Sequence, residues 1–164
     1  MPVIEQITPK SVSIFKATRL QALQDSPTAF GSTYAKESLF TDEDWGKRAA
    51  QWTSERSMGY LAMEAGKPCG IVASFLDEND PHKAQLVSMW VAPTHRRSGV
   101  GQSLIETVRA WAASRGARQL LLTVTSNNLT AIKFYQRNGF SMTGNTEPYP
   151  NDPVLFEYEM ARSI

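Results

Sequence analysis

Between Ala84 and Val124 the hydrophobic period of the chain changes twice, and this limits the folds open to it. Ala84–Val91 (Ala-Gln-Leu-Val-Ser-Met-Trp-Val) reads as a strand. Leu104, Ile105, Val108, Trp111 and Ala112 then recur at i, i+1, i+4, i+7 and i+8, the strongest helical pattern present, in a helix that opens near Gly101 and stops at Gly116. Leu120–Val124 follows as a short, nearly all-apolar strand of the kind buried on both faces. A strand, a helix and a strand in that order form a right-handed crossover, so the two strands are expected as parallel neighbours or nearly so.

The flanking segments set what surrounds this unit. Tyr60–Glu64 and Gly70–Leu76 read as strands around the hairpin signal Ala65-Gly66-Lys67-Pro68, which favours an antiparallel start to the sheet. Before them, Val12, Phe15, Leu20 and Leu23 share one face of a helix over 11–23 that stops at Asp25-Ser26-Pro27. A second helix begins at Thr41, a good N-cap, with Asp42, Glu43 and Asp44 in its first turn and Trp45, Ala49 and Trp52 on one face. Ala29–Tyr34 between them reads as a loop or short turn. After the crossover, a helix from about Asn128 to Arg137 stops at Asn138-Gly139, and Phe140–Thr143 and Leu155–Met160 read as closing strands around the loop Asn145–Pro153. The expected class is α/β, a mixed sheet with helices on both faces.

Composition narrows the function classes. At 164 residues the chain is of single-domain size, given about 150 residues per domain. One cysteine, Cys69, and two histidines exclude an intrachain disulfide and a four-ligand zinc clip, so no metal is expected. A net charge of +1 lacks the basic surplus of a dedicated nucleic-acid binder. No apolar run is long enough to span a membrane, and Met1-Pro2-Val3-Ile4-Glu5 has neither a charged n-region nor an apolar h-region. The expectation is a cytoplasmic protein with no membrane or nucleic-acid partner.

The segment Val91-Ala92-Pro93-Thr94-His95-Arg96-Arg97-Ser98-Gly99-Val100-Gly101 joins the first crossover strand to the helix. A helix N-terminus carries unpaired N–H groups and partial positive charge, and glycines let a ligand approach the main chain. With Arg96 and Arg97 beside it, the turn suits a pyrophosphate. Walker A spacing is absent, and Leu104 stands where a dinucleotide fingerprint needs its third glycine.

These residues resemble the GCN5-related N-acetyltransferases, whose acyl-CoA motif Arg/Gln-x-x-Gly-x-Gly/Ala is matched by Arg96-Arg97-Ser98-Gly99-Val100-Gly101. A second family motif, Asn-x-x-Ala-x-x-Phe-Tyr-x-x-x-Gly-Phe, is matched by Asn128, Ala131, Phe134, Tyr135, Gly139 and Phe140, starting 27 residues past Gly101. The resemblance implies one N-acetyltransferase domain over 1–164, with acceptor-side helices in 1–55, an acyl-CoA-binding core in 60–140, and closing strands and loop in 141–164. Its sheet would have six to seven mostly antiparallel strands, the central ones splayed.

By the same resemblance, acetyl-CoA is the cosubstrate and a primary amine of a small molecule or peptide attacks it directly in a ternary complex. Backbone groups of Met89, Trp90 and Val91 would face pantetheine, with the Val91 amide polarising the thioester. The amides of Arg97, Ser98, Gly99, Val100, Gly101 and Gln102 would cradle the pyrophosphate with Arg96 and Arg97. Asn128, Ala131 and Phe134 would line the cofactor, and Tyr135 would be the general acid. Many relatives carry a Glu on the third strand, where this chain has Gln85 and Ser88; Glu37 and Glu64 are the available carboxylates, and Glu37 is favoured as base. Phe30, Tyr34, Trp45, Tyr149 and Phe156 either line an acceptor pocket or fill core. A homodimer is common in the family. The alternative is a non-catalytic acyl-CoA-binding regulatory module.

Overall fold

The computed structural model describes residues 2–164, so of the segment read at the start Met1 lies outside the described residues. The strands are β1 (Val3–Gln6), β2 (Ser57–Glu64), β3 (Lys67–Leu76), β4 (Lys83–Val91), β5 (Gln119–Thr125), β6 (Ser141–Pro148) and β7 (Phe156–Ser163). They form one sheet in the order β1-β2-β3-β4-β5-β7-β6. Only β4 and β5 pair in parallel; the other neighbours are antiparallel. The helices are α1 (Val12–Asp25), α2 (Tyr34–Glu37), α3 (Asp42–Gln51), α4 (Val100–Ser114) and α5 (Leu129–Arg137). No described helix is long and apolar enough to cross a membrane.

The crossover expected from the change of period is present: α4 carries the chain from β4 to its parallel neighbour β5. Residues 69–74 of β3 are all buried, so both faces of the sheet are covered there, and α1 and α4 are the helices packed against it. Leu104, Ile105, Val108, Trp111 and Ala112 all enter the core, as their spacing requires. Thr41 caps α3 in a reciprocal box with Asp44, which replaces two orphan amide partners at the helix start. Ala65 and Gly66 take the positive φ values of a two-residue turn, 51° and 77°, so the β2–β3 loop is shorter than the sequence signal.

Departures from the sequence reading occur where elements are short or punctuated. β1 has four residues with no clear alternation, and α2 is a single turn inside a segment read as loop. β6 continues to Pro148 through what reads as the start of the 145–153 loop, because the Met142–Thr146 irregularity, with Gly144 at φ 94°, lets the ladder resume. It is an edge strand with every residue exposed, so no apolar pattern marks it.

Candidate active site

The site begins where the sheet fails to close. β4 and β5 pair only through Lys83↔Gln119, Ala84↔Leu120 and Gln85↔Leu121; past Gln85 each strand keeps only its outer neighbour. A bulge sharpens the divergence. Ala73↔Val87 is followed by Ile71↔Trp90, so Ser88 and Met89 together oppose Val72, and Ser88 adopts φ 58°.

The ladder also fixes which backbone groups look into this gap. The Ala92 amide bonds the Cys69 carbonyl at 2.8 Å, and Val91 pairs with Gly70. By antiparallel alternation, Val91 then directs its N–H and C=O away from β3, into the gap. Trp90 falls on the opposite phase: its backbone is directed to β3, and its buried indole donates to Asp25 at 3.0 Å. The expectation that Trp90 presents backbone to pantetheine is therefore corrected, while Val91 presents both of its backbone groups to the gap.

At the end of β4, Arg97 (φ 62°) and Gly99 (φ 89°) bend the chain into α4. The amides of Arg97, Ser98, Gly99, Val100, Gly101 and Gln102 donate to no protein acceptor among the described residues, and the next amide, Ser103, returns to the Gly99 carbonyl. This is a ring of donors at the positive end of a helix. The side chains divide: Arg97 is exposed, Val100 is core, and the Ser98 hydroxyl bonds the His95 carbonyl. Arg96 turns inward, donating from Nε to the Val91 carbonyl at 2.9 Å and from Nη2 to Asp25 at 2.6 Å.

The two sequence motifs meet at Gly101. A Cβ there would stand 2.8 Å from Phe134 Cζ and 3.3 Å from Met89 Cε, so the glycine lets the Phe134 ring of α5 and the Met89 side chain of β4 close in on α4. Asn128 Oδ1 accepts from the Ala131 amide at 3.2 Å, the N-cap role. Ala131 and Phe134 are half-buried. Tyr135 is buried, with Phe134 at 5.4 Å and Phe140 at 5.7 Å between ring centroids, and burial pushes its phenol above the ordinary tyrosine range. It stays protonated at any working pH, as an acid must.

Across the gap the facing wall, carried by α1, α2 and α3, is built from charge. Burial opposes ionisation of Glu37, but Arg19 at 3.0 Å to each oxygen and Arg48 at 2.7 Å bring its carboxyl down to about 2. The favoured base assignment is weakened by this geometry: a carboxylate gripped by two guanidiniums is a feeble proton acceptor near neutrality. Its place is structural, tying α1 and α3 to α2, and Arg19 also reaches Ser88 Oγ at 3.4 Å on the bulge. Phe30 lies under Arg19 at 4.9 Å, and its carbonyl accepts from the Tyr149 hydroxyl at 2.5 Å. Phe30 and Tyr149 thus brace this wall from within, and Trp45 is core, whereas Tyr34 and Phe156 are exposed. Glu64, the other carboxylate considered, pairs with His95 at 3.5 Å.

One carboxylate passed over in the sequence is Glu157. It sits opposite Thr125 in the β5–β7 ladder, and Thr125 Oγ1 reaches the Thr28 carbonyl at 2.6 Å, so Glu157 shares the sheet face that the segment around Thr28 covers. Burial, then the Glu147 charge directly across on β6, raise its carboxyl above the usual range. The available signal was alternation: in Phe156-Glu157-Tyr158-Glu159-Met160 the two glutamates share one face.

Comparison with known proteins gives this geometry a family. Structurally, the chain superposes with TM-score 0.82 and 26% identity on an acetyltransferase of the GNAT family from Streptococcus pneumoniae, covering 100% of this chain and 99% of that one. The PaiA N-acetyltransferase of Thermoplasma acidophilum, solved in complex with coenzyme A, shares the fold at TM-score 0.80 and 14% identity, covering 100% and 99%. In sequence, a streptothricin acetyltransferase of Escherichia coli is 35% identical over 81 residues, 43% of this chain and 47% of the relative. The chain spans about half the length of the curated relatives it matches. The model of the acetyltransferase (GNAT) family matches residues 20–140, across the gap, the amide turn and both motifs, and the chain belongs to that family, whose general chemistry is acetyl transfer from acetyl-CoA.

Proposed function

We propose that this protein transfers acetyl from acetyl-CoA to a primary amine of a small molecule or peptide, by direct attack in a ternary complex. The observation that carries the reading is the unpaired inner edge of β4 running straight into a turn of six unengaged amides. An extended pantetheine arm can complete that edge as a strand would, and the diphosphate then falls at the helix terminus. The relatives named for acetyltransferase activity and the coenzyme A complex of a shared fold support the choice.

Acetyl-CoA, when bound, supplies an activated thioester; the rest falls to the chain. The Val91 N–H donates to the carbonyl oxygen that gains charge on attack, a role worth about 10²–10³ in rate where a comparable donor is removed. Tyr135 gives its proton to the departing thiolate, an uphill transfer because burial raises the phenol above its ordinary range while a free thiol lies near about 8.5. The amine must lose a proton first: at pH 7 a group of pKa about 10.4 is neutral roughly once in 2,500 molecules, a penalty of about 4.6 kcal/mol. With Glu37 committed to Arg19 and Arg48, Glu157 is the acceptor-side carboxylate in our reading that takes this proton, directly or through water.

Calorimetric titration with acetyl-CoA, followed by assay of free-CoA release with and without a panel of primary amines, tests the proposal. Binding with amine-dependent release is the expected result. Binding without release for any amine favours the regulatory-module alternative, and absence of binding overturns both.

A further inference from the structure

We infer that Arg96 is a positioning residue for the end of β4, anchored by Asp25, rather than a ligand of phosphate. The inference rests on the acetyl-CoA reading above and deepens it.

Arg96 belongs to the turn by sequence, but it spends two donors on the protein. Nε holds the Val91 carbonyl at 2.9 Å and Nη2 holds Asp25 Oδ2 at 2.6 Å. The same carboxylate oxygen accepts from Trp90 Nε1 at 3.0 Å and from Ser26 Oγ at 2.8 Å. Against the cost of burial, these bonds from Trp90, Ser26 and Arg96 keep the Asp25 carboxyl below its ordinary range, so the anchor is anionic. Asp25 is the last residue of α1, Trp90 is buried in the core, and Arg96 opens the amide turn. One oxygen therefore ties three elements that meet at the mouth of the gap.

A lone exposed ion pair contributes little. Here the guanidinium does a second thing that a point charge does not: its fork fixes one particular carbonyl while it holds the anion. Val91 directs both its N–H and its C=O into the gap. With the carbonyl taken by Arg96, the peptide edge offers an incoming thioester a donor only, and the carbonyl's negative end is neutralised beside the oxygen that gains charge. Loss of the clamp should therefore register in turnover and not merely in diphosphate affinity.

The test compares acetyl-CoA with S-acetyl-pantetheine, which has the thioester and lacks the diphosphate, across wild type, Arg96→Ala, Arg96→Lys, Asp25→Asn and the Arg96→Ala/Asp25→Asn double variant. A positioning role lowers kcat/KM by about tenfold or more, by the same factor for both thioesters, with kcat carrying the loss for acetyl-CoA. Asp25→Asn reproduces much of the effect, the double variant is no worse than the poorer single one, and Lys does not restore activity. A loss confined to acetyl-CoA and seen as raised KM, with Asp25→Asn silent, assigns Arg96 to phosphate and overturns the inference; full rescue by Lys overturns it as well. Should Arg96→Ala not fold, Trp90→Phe keeps an aromatic ring in the core while removing the indole bond to Asp25: a kcat reduced severalfold at unchanged KM sustains the clamp, and wild-type kinetics overturn it. Wild-type protein that neither binds nor turns over acetyl-CoA refutes the transferase reading itself, a result distinct from all of these.

Discussion

On the β4–α4–α5 side of the gap, position is set by backbone: a ladder phase that aims Val91, positive φ at Arg97 and Gly99, and a glycine at 101 that lets Phe134 close in. On the α1–α3 side, position is set by side-chain charge, with Glu37 buried between Arg19 and Arg48 and Tyr149 pinned to the Phe30 carbonyl. In the proposed reaction the first construction serves a ligand part that does not vary, because main-chain donors fit any diphosphate. The second can be rewritten by a few substitutions without touching the sheet, which suits the half of a transferase that must choose an acceptor.

The contrast can be broken from either side. The largest effect is expected from Gly99→Glu: no heavy atom lies within 4 Å of a Cβ at this position, so the side chain has room, but its carboxylate sits before the amide turn and its φ of 89° is strained for any L-residue. Acetyl-CoA binding should fall beyond calorimetric detection while the folded state persists. Glu37→Gln should do the reverse. It leaves two guanidiniums without their anion in a buried place, a loss of about 3–5 kcal/mol and roughly 10 °C in melting temperature, with the acetyl-CoA affinity of the surviving folded protein near wild type.

The same carboxylate predicts an acid limit. Its folded value is lowered from 4.5 to about 2, so its contribution is complete above pH 4.5 and is lost as pH falls toward 2. By linkage that amounts to about 3 kcal/mol, and the fall in stability through this window should be missing from Glu37→Gln. Tyr135→Phe should cut turnover about tenfold or more with little change in acetyl-CoA affinity, and wild-type turnover in that variant would remove the acid role. The smallest effect is expected at Asn128→Ala, which deletes the cap on α5 and should cost about 1 kcal/mol in a denaturant midpoint. A much greater loss of acetyl-CoA affinity there would show that the amide also holds ligand.

How much of this was legible in the sequence follows the same division. The crossover, the amide turn and each of the two motifs could be read because glycine, cap and apolar period each impose a local rule on the backbone. The bulge at Ser88 and Met89 could not, since nothing in Leu-Val-Ser-Met-Trp announces an extra residue, and without it the phases of Trp90 and Val91 cannot be told apart. Glu37 misled because in the sequence it looks like a carboxylate free to take a proton; its partners Arg19 and Arg48 lie 18 and 11 residues away. Glu157 and Glu147 are brought across from each other only by the β6–β7 register, in a strand whose exposed residues carry no pattern.

The short seam between β4 and β5 has a thermodynamic consequence. Among the described residues, only the pairs at 83–85 and 119–121 join the two halves of the sheet, so beyond them a ligand seated along β4, as proposed, would take the place of missing strand contacts. Cosubstrate bound there would become part of the folded state: at one hundred times its dissociation constant it would add about 2.7 kcal/mol to the unfolding free energy. Amide hydrogens on the inner edge of β4 should exchange with solvent quickly in the free protein and slowly once that seat is filled, so the opening of the sheet can be followed residue by residue without any acceptor present.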